Sequence, residues 1–149
     1  MRILGIDASS KTGWCLMLDG KVLESGVKEF KTERGESNGI RFLKFRKWLD
    51  SMLDFEPNLI AYERAHHRGG AATELCVGFV TRIQEIAAER DIEYMGIHSA
   101  TIKKEITGKG NADKDAVKKA VMKKFRIKPI DDNHADAIAI AEVARRMVA

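Results

Sequence analysis

The chain has 149 residues, of which 26 are Lys or Arg and 22 are Asp or Glu, so its formal net charge is +4. This length fits one domain over residues 1–149, and a hydrophobic content of 44% argues against a disordered chain. No apolar run reaches the roughly 18–20 residues of a membrane span. Two cysteines are too few for a disulfide scaffold or a cysteine-rich zinc site. We therefore expect a soluble, cytoplasmic protein that does not associate with membranes.

The first thirty residues predict three β-strands. Arg2–Asp7 is a short apolar run that ends on a carboxylate, and residues 13–18 and 21–30 follow as two further strands. The pair Asp19-Gly20 between them, with apolar residues on both sides, is typical of a tight hairpin turn. This part of the chain therefore predicts an antiparallel flank.

The rest of the chain alternates between helical and strand patterns. Helical spacing of apolar residues predicts helices, and short apolar runs predict strands. The predicted elements are a helix over 37–53, a strand over 58–63, a helix over 73–90, a strand over 92–97, short basic helices and a helix over 133–147. The resulting order, β-β-β-α-β-α-β-α-α, favours parallel crossovers for the later strands. We predict an α/β fold with a mixed five-stranded sheet: an antiparallel β1-β2-β3 flank, parallel β4 and β5, and flanking helices.

Three groups of acidic residues suggest a metal site. Asp7 and Glu63 each end an apolar strand, and residues 131–136 (DDNHAD) open the last helix. If the two strands are parallel neighbours, Asp7 and Glu63 lie side by side, and Asp132 or Asn133 can share a helix face with Asp136. Converging carboxylates favour Mg²⁺ or Mn²⁺, and two such ions can support phosphodiester hydrolysis. Alternatively, residues 131–133 only cap the helix, Asp7 forms a turn and Glu63 is a surface acid.

Positive charge is concentrated in one segment of the chain. Residues 101–128 contain ten Lys or Arg and three Asp or Glu, whereas the remainder of the chain is slightly acidic. A basic block beside an acidic remainder suggests that a polyanion docks on one face. The alternative is a lysine-rich helix face that is simply solvated.

Four segments together resemble one family. They are Arg2–Asp7 followed by Thr12-Gly13-Trp14, residues 59–63 (LIAYE), the basic stretch from Lys103 through residues 108–114 (GKGNADK), and residues 136–141 (DAIAIA). In this order they resemble the RuvC-type Holliday junction resolvases. The compact length and the DDNHAD variant look most similar to phage-type members.

This resemblance implies a fold and an activity. It implies a ribonuclease H-like fold, a symmetric homodimer and Mg²⁺-dependent paired nicking of four-way DNA junctions, with Mn²⁺ as a substitute and two ions per site. It requires no nucleotide cofactor. Asp7, Glu63 and Asp136 would be catalytic metal ligands. The family's fourth ligand falls on Asn133, and Asp132 is the alternative. The cellular setting would be a bacterial or phage-infected host cytoplasm.

The resemblance also implies DNA contacts. Lys103 and Lys114 match basic residues near the scissile phosphate, and Lys114 would join the catalytic set. Lys104 and Lys109 lie in the same basic stretch. His66 stands where the family often carries a junction-wedging aromatic residue, and His67 and Arg68 follow it; the alternative is a plain flexible loop. Helix 73–90 occupies the place of the family's dimer helix, so its apolar residues are either intermolecular or plain core.

Three other functions fit parts of the sequence. The opening segment GIDASSKTG also resembles the phosphate-binding hairpin of sugar kinases and actin-like ATPases, but the chain has no room for their second lobe. A nuclease of the same fold acting on RNA–DNA hybrids or flaps would carry nearly identical acids. A catalytically idle module that only binds branched DNA is the third alternative, which Asn133 in the ligand position keeps open.

Overall fold

A computed structural model describes residues 1–65 and 69–149 of the chain. The strands are β1 (Arg2–Asp7), β2 (Lys11–Leu18), β3 (Lys21–Glu29), β4 (Leu59–Glu63) and β5 (Glu93–Ile97). The α-helices are α1 (Asn38–Met52), α2 (Ala71–Glu89), α3 (Ser99–Thr107), α4 (Lys114–Phe125) and α5 (Asp132–Val148), and a short 3₁₀ helix at Leu53–Phe55 follows α1. Within the described residues, no helix is long and apolar enough to cross a membrane.

The five strands form one mixed sheet in the order β3-β2-β1-β4-β5. β1 and β3 both pair antiparallel with β2, whereas β1, β4 and β5 are parallel neighbours. The predicted sheet and its antiparallel flank are therefore confirmed. The turn between β2 and β3 has positive φ at both Asp19 (49°) and Gly20 (84°), which is the conformation of a type I′ hairpin turn.

The short basic helices predicted after β5 are two, α3 and α4, and both precede α5. Three helices therefore follow the last strand, one more than the predicted order of elements contains. Residues 108–113 divide them: Gly108 ends α3 with a φ of 91°, and the Asp113 side chain caps α4 by accepting from the Ala116 N–H. A glycine in this conformation is a common helix stop, and it separates the two basic helices.

The sheet separates two hydrophobic cores. In β1, Ile3 packs in the core beneath α3, α4 and α5, whereas Leu4 and Ile6 pack in the core beneath α1 and α2. This alternation follows from the two-residue period of a strand. Asp7 shares the parity of Ile3 and therefore points to the α5 face.

Helix α5 lies directly on the backbone of the sheet. A Cβ atom at Gly5 would come within 2.6 Å of the Ala137 carbonyl oxygen and 2.9 Å of Ala141. At Gly13 it would come within 1.8 Å of the Asn133 carbonyl oxygen. Only glycine permits this approach on the strands, and the small alanine side chains of α5 permit it on the helix. Residues 137–144 of α5 are consequently buried.

One buried acid holds the far end of α5. The Glu142 side chain has no exposed surface, and it lies 2.6 Å from Arg145, 3.1 Å from Arg146 and 3.7 Å from Lys124 of α4. Burial raises its pKa, but hydrogen bonds from Arg145 and Arg146 outweigh burial and keep the pKa of Glu142 below its ordinary value. The carboxylate therefore stays charged and joins α5 to α4.

We predict that Gly5→Ala destabilises the fold by about 1–3 kcal/mol, because the added methyl group meets backbone atoms of α5 that cannot move aside. Gly39→Ala, in the first turn of α1, is the matched control, since its methyl group meets only the Ser37 hydroxyl at 3.3 Å. Urea unfolding measures both free energies. Equal stability of the two variants would contradict the close packing of α5 on β1.

Candidate active site

Asp7 and Glu63 lie side by side at one edge of the sheet. In the parallel pairing of β1 with β4, Ile6 is opposite Tyr62, so the next residues along both strands are Asp7 and Glu63. Both have the strand parity that points toward α5, as Ile3 and Leu59 do. This register makes Asp7 and Glu63 neighbours, as the prediction from two parallel strands required.

Helix α5 supplies the third acid. Its N-cap Asp131 accepts a hydrogen bond from the His134 N–H at 2.9 Å, and Asp136 follows in the second turn. Because Gly13 lies opposite Asp7 in the sheet and against the start of α5, this turn is held over the end of β1. Asp136 therefore faces the same cleft as Asp7 and Glu63.

The cleft has a volume of about 290 Å³. Its acidic lining is Asp7, Glu63 and Asp136, its basic lining is Lys103 and Lys114, and its remaining walls come from α3, α4 and α5. Ser99 also lines it, and sequence reasoning missed this residue. The predicted strand over 92–97 could have indicated it. Because Ile97 at the end of this strand pairs with Glu63, the residues that follow Ile97 begin α3 beside the acids.

Burial and nearby negative charge raise the pKa of both Asp7 and Asp136. Burial, and then the charges of Asp136 and Glu63, raise the pKa of Asp7 well above its usual value. Burial and the charge of Glu63 raise the pKa of Asp136 to about 7. Lys114 opposes both shifts by lowering the pKa of each carboxyl. The cleft is therefore a place where additional positive charge is favourable.

The donor set fits a hard cation. Carboxylate oxygens are the ligands that Mg²⁺ and Mn²⁺ prefer, and three of them face one small cleft. Within residues 1–65 and 69–149, however, no three His, Cys, Asp or Glu side chains are gathered into a metal-binding cluster. Metal binding by Asp7, Glu63 and Asp136 thus stays a prediction.

The two other predicted ligands do not line the cleft. Asp132 is paired with Lys118 at 2.8 Å and Lys114 at 3.6 Å, so its carboxylate is directed toward α4. The backbone of Asn133 is packed against Gly13. Asp131 provides the predicted helix cap, so the capping interpretation holds for that residue.

His134 anchors the start of α5. Its Nδ1 accepts a hydrogen bond from the Ile130 N–H at 3.0 Å, so its Nε2 carries the proton and donates to the Ser25 hydroxyl at 2.8 Å. Burial lowers the pKa of His134, which matches this neutral form. The histidine therefore ties α5 to β3 and does not face the cleft.

The predicted DNA-binding residues divide into three groups. Lys103 and Lys114 line the cleft, the first from within α3 and the second from the start of α4. Lys104 and Lys109 are exposed outside the cleft lining, on α3 and in the following loop. His66, His67 and Arg68 lie outside the described residues.

The apolar residues predicted on helix 73–90 are mostly core. Phe79 and Ile83 have no exposed surface, and Leu75 packs against the same core as α1. Phe79 lies 4.8 Å from Phe45 between ring centroids. The plain-core alternative is therefore correct for Phe79 and Ile83.

Comparison with known proteins gives a consistent match. A family model described as "Crossover junction endodeoxyribonuclease RuvC" matches residues 3–144. Proteins of that name from Prochlorococcus marinus (strain MIT 9312) and Rickettsia massiliae are 32% and 30% identical to the chain, and each alignment covers 95% of this chain and 94% of the relative. The solved structure of Thermus thermophilus RuvC with a Holliday junction substrate superposes with a TM-score of 0.84 at 22% identity, covering 99% of this chain and 96% of that one. This likeness confirms the predicted α/β fold with a mixed five-stranded sheet and flanking helices.

We predict that Asp136→Asn stabilises the metal-free protein at pH 8 by about 1–3 kcal/mol and much less at pH 4.5. An unfolded Asp has a pKa near 3.9, whereas the pKa of folded Asp136 is about 7. The folded state therefore holds more protons between these values, and its stability falls as the pH rises through them. Thermal unfolding in EDTA measures the effect, with the exposed Asp54→Asn as control. If Asp136→Asn stabilised the protein equally at pH 8 and pH 4.5, the result would contradict repulsion between the acids.

Proposed function

The chain belongs to the RuvC family of crossover junction endodeoxyribonucleases, and from this membership we propose that it resolves four-way DNA junctions by paired nicks. The observation that carries the proposal is the convergence of Asp7, Glu63 and Asp136 with Lys103 and Lys114 in one cleft. Acids alone would repel a phosphodiester. The mixture of acids and lysines accepts both the cation and the phosphate that hydrolysis requires.

Asp7, Glu63 and Asp136 would hold divalent cations, with Mg²⁺ as the physiological ion, Mn²⁺ as a substitute and two ions per site. Such ions activate a water molecule and stabilise the leaving oxygen of a phosphodiester. Asn133 is proposed as the fourth ligand in preference to Asp132. The support is that Lys118 and Lys114 already pair with Asp132 and direct its carboxylate toward α4.

The lysines would position and stabilise the phosphate. Lys103 is half-buried in the cleft wall, and Lys114 stands at the start of α4 across the same cleft. An ammonium group in this position attracts the scissile phosphate and offsets the charge that develops in the transition state. Lys104 and Lys109 would add backbone contacts outside the cleft, and His66, His67 and Arg68 would contact the junction centre.

Paired nicking requires two clefts. The described part of the chain forms one cleft with all three acids, so resolution of a junction requires a second copy of the chain, and we propose a homodimer. The substrate places its action in the cytoplasm of a bacterium or an infected host cell, where DNA recombines.

The deciding experiment is cleavage of a synthetic immobile four-way junction, with linear duplex and RNA–DNA hybrid as controls and with Mg²⁺ or EDTA. We expect symmetric nicks in the junction alone, and only with Mg²⁺. Asp7→Asn and Glu63→Gln should lower the cleavage rate by at least about 10³-fold and leave junction binding intact, because each removes a ligand and not a DNA contact. The exposed Asp54→Asn is the matched control and should cut normally.

Other outcomes would reassign the function. Preferred cutting of the hybrid would keep the site but change the substrate. Tight junction binding without cleavage in Mg²⁺ or Mn²⁺ would indicate a binding module, and full activity of Asp7→Asn would overturn the metal assignment.

We further predict different effects for two adjacent lysines of α3. Lys103→Ala should lower the single-turnover cleavage rate by about 10²-fold, because Lys103 lines the cleft. Lys104→Ala removes the same charge from an exposed position outside that lining and should change the rate by less than about threefold. Rate measurements at saturating protein separate catalysis from binding. Equal rates for both variants would remove Lys103 from the catalytic site.

A further inference from the structure

A second positively charged surface lies on the face of the sheet opposite the cleft. It is a groove of about 610 Å³ between β3 and α1, in which Lys28, Lys31, Lys44 and Lys47 surround Phe30 and Trp48. We refer to it as the α1 groove. Along the sequence, positive charge is concentrated in residues 101–128, whereas the lysines of the α1 groove come from separate segments that meet only in the fold.

Acidic residues neutralise the α1 groove incompletely. Lys31 lies 3.9 Å from Glu29, and Lys44 lies 3.4 Å from Glu36. Lys28 and Lys47 form no ion pair within 4.0 Å among residues 1–65 and 69–149. The groove therefore carries excess positive charge and attracts a polyanion.

Arg41 lies outside the groove lining and places a further positive charge beside the β1–β2 loop. Its guanidinium donates to the Thr32 hydroxyl at 2.9 Å and the Ser10 hydroxyl at 3.4 Å. No carboxylate of the described residues lies within ion-pair distance of it, and its Nε is buried without a hydrogen-bond partner. A positive group is thus fixed beside the β1–β2 loop by neutral hydroxyls, which leave its charge in place.

The groove has a rigid floor. The Phe30 ring lies 5.4 Å from Phe45 and 5.6 Å from Trp48 between centroids, so the aromatic rings support one another. Trp48 is only half-buried, so part of its ring remains accessible. The lysine positions lie on or beside β3 and α1, and these regular elements keep their spacing constant.

The α1 groove borders the same end of the sheet as the cleft. Across the sheet, Asp7 pairs with Gly13 and Gly13 pairs with Val27, which precedes Lys28. Two strand spacings separate them, about 10 Å. The Phe30 N–H donates to the Ser10 carbonyl at 2.8 Å, so the β1–β2 loop borders the groove at this end of the sheet.

We propose that the α1 groove binds the sugar–phosphate backbone of a DNA arm that leaves the cleft across the β1–β2 loop. The inference rests on the proposed function for the identity of the polyanion. DNA is favoured over an acidic protein because the groove continues the path of the substrate of the cleft. Lys28 and Lys47 each contact a phosphate, which gives affinity without sequence preference.

The test compares Lys28 of β3 and Lys47 of α1, which line the groove, with Lys21 at the other end of β3. Binding of a labelled four-way junction in EDTA is measured by fluorescence anisotropy over a series of salt concentrations. The Lys28→Ala/Lys47→Ala variant should bind about tenfold more weakly, and the slope of log K against log salt should fall in magnitude by about 2, since each phosphate contact contributes about 0.9. Lys21→Ala, at the opposite end of β3, should leave the slope unchanged.

The fluorescence of Trp48 provides a second, direct measurement of DNA binding in the groove. The chain has two tryptophans, so Trp14→Phe leaves Trp48 as the single indole fluorophore. Junction DNA should change the Trp48 emission in this background, and the added Lys28→Ala/Lys47→Ala substitutions should shift that titration to higher DNA concentration.

The outcomes separate the two proposals. Equal salt slopes for the double variant and Lys21→Ala, with Trp48 emission insensitive to DNA, would overturn the groove inference even if the protein cuts junctions. Lysine-dependent binding by a protein that fails to cut any junction would support the groove and overturn the proposed function.

Discussion

The contact of α5 with the bare backbone of β1 and β2 is the constraint on which the site depends. Gly5 and Gly13 allow Ala137 and the Asn133 carbonyl to approach the strands without an intervening side chain. This contact fixes both the height and the rotation of the helix above the sheet. Asp136 can face Asp7 only because both are set by that one interface, while His134 and Glu142 secure the two ends of the helix.

The repulsion between the acids of the cleft destabilises the folded protein. Like charges gathered with partial burial disfavour the ionised protein, and the rest of the fold must outweigh this cost. Lys114 relieves part of it from the start of α4. A bound cation therefore stabilises this site more than it would stabilise a solvated cluster of acids, because the repulsion in the ionised, cation-free site is greater.

Much of the architecture follows from short-range patterns. The apolar runs ending in Asp7 and Glu63 predict two strands, and parallel pairing then makes the acids neighbours. Other features depend on contacts distant in sequence. The ion pair between Asp132 and Lys118 could not be deduced from the DDNHAD segment, since it requires α4 to lie beside α5. The α1 groove likewise combines lysines of β3 and α1, and no local periodicity indicates their meeting.

The packing of α5 also limits which insertions and deletions the chain can accept during evolution. A residue added or removed between Asp136 and Ala137 would turn the carboxylate by about 100° relative to the buried face. Asp136 and the alanine contact therefore keep a fixed spacing along the helix. Residues 126–129, in contrast, precede the Ile130 and Asp131 contacts that anchor the start of the helix, so a change of length there leaves that spacing unaltered. Length variation among related chains should concentrate there and avoid the helix.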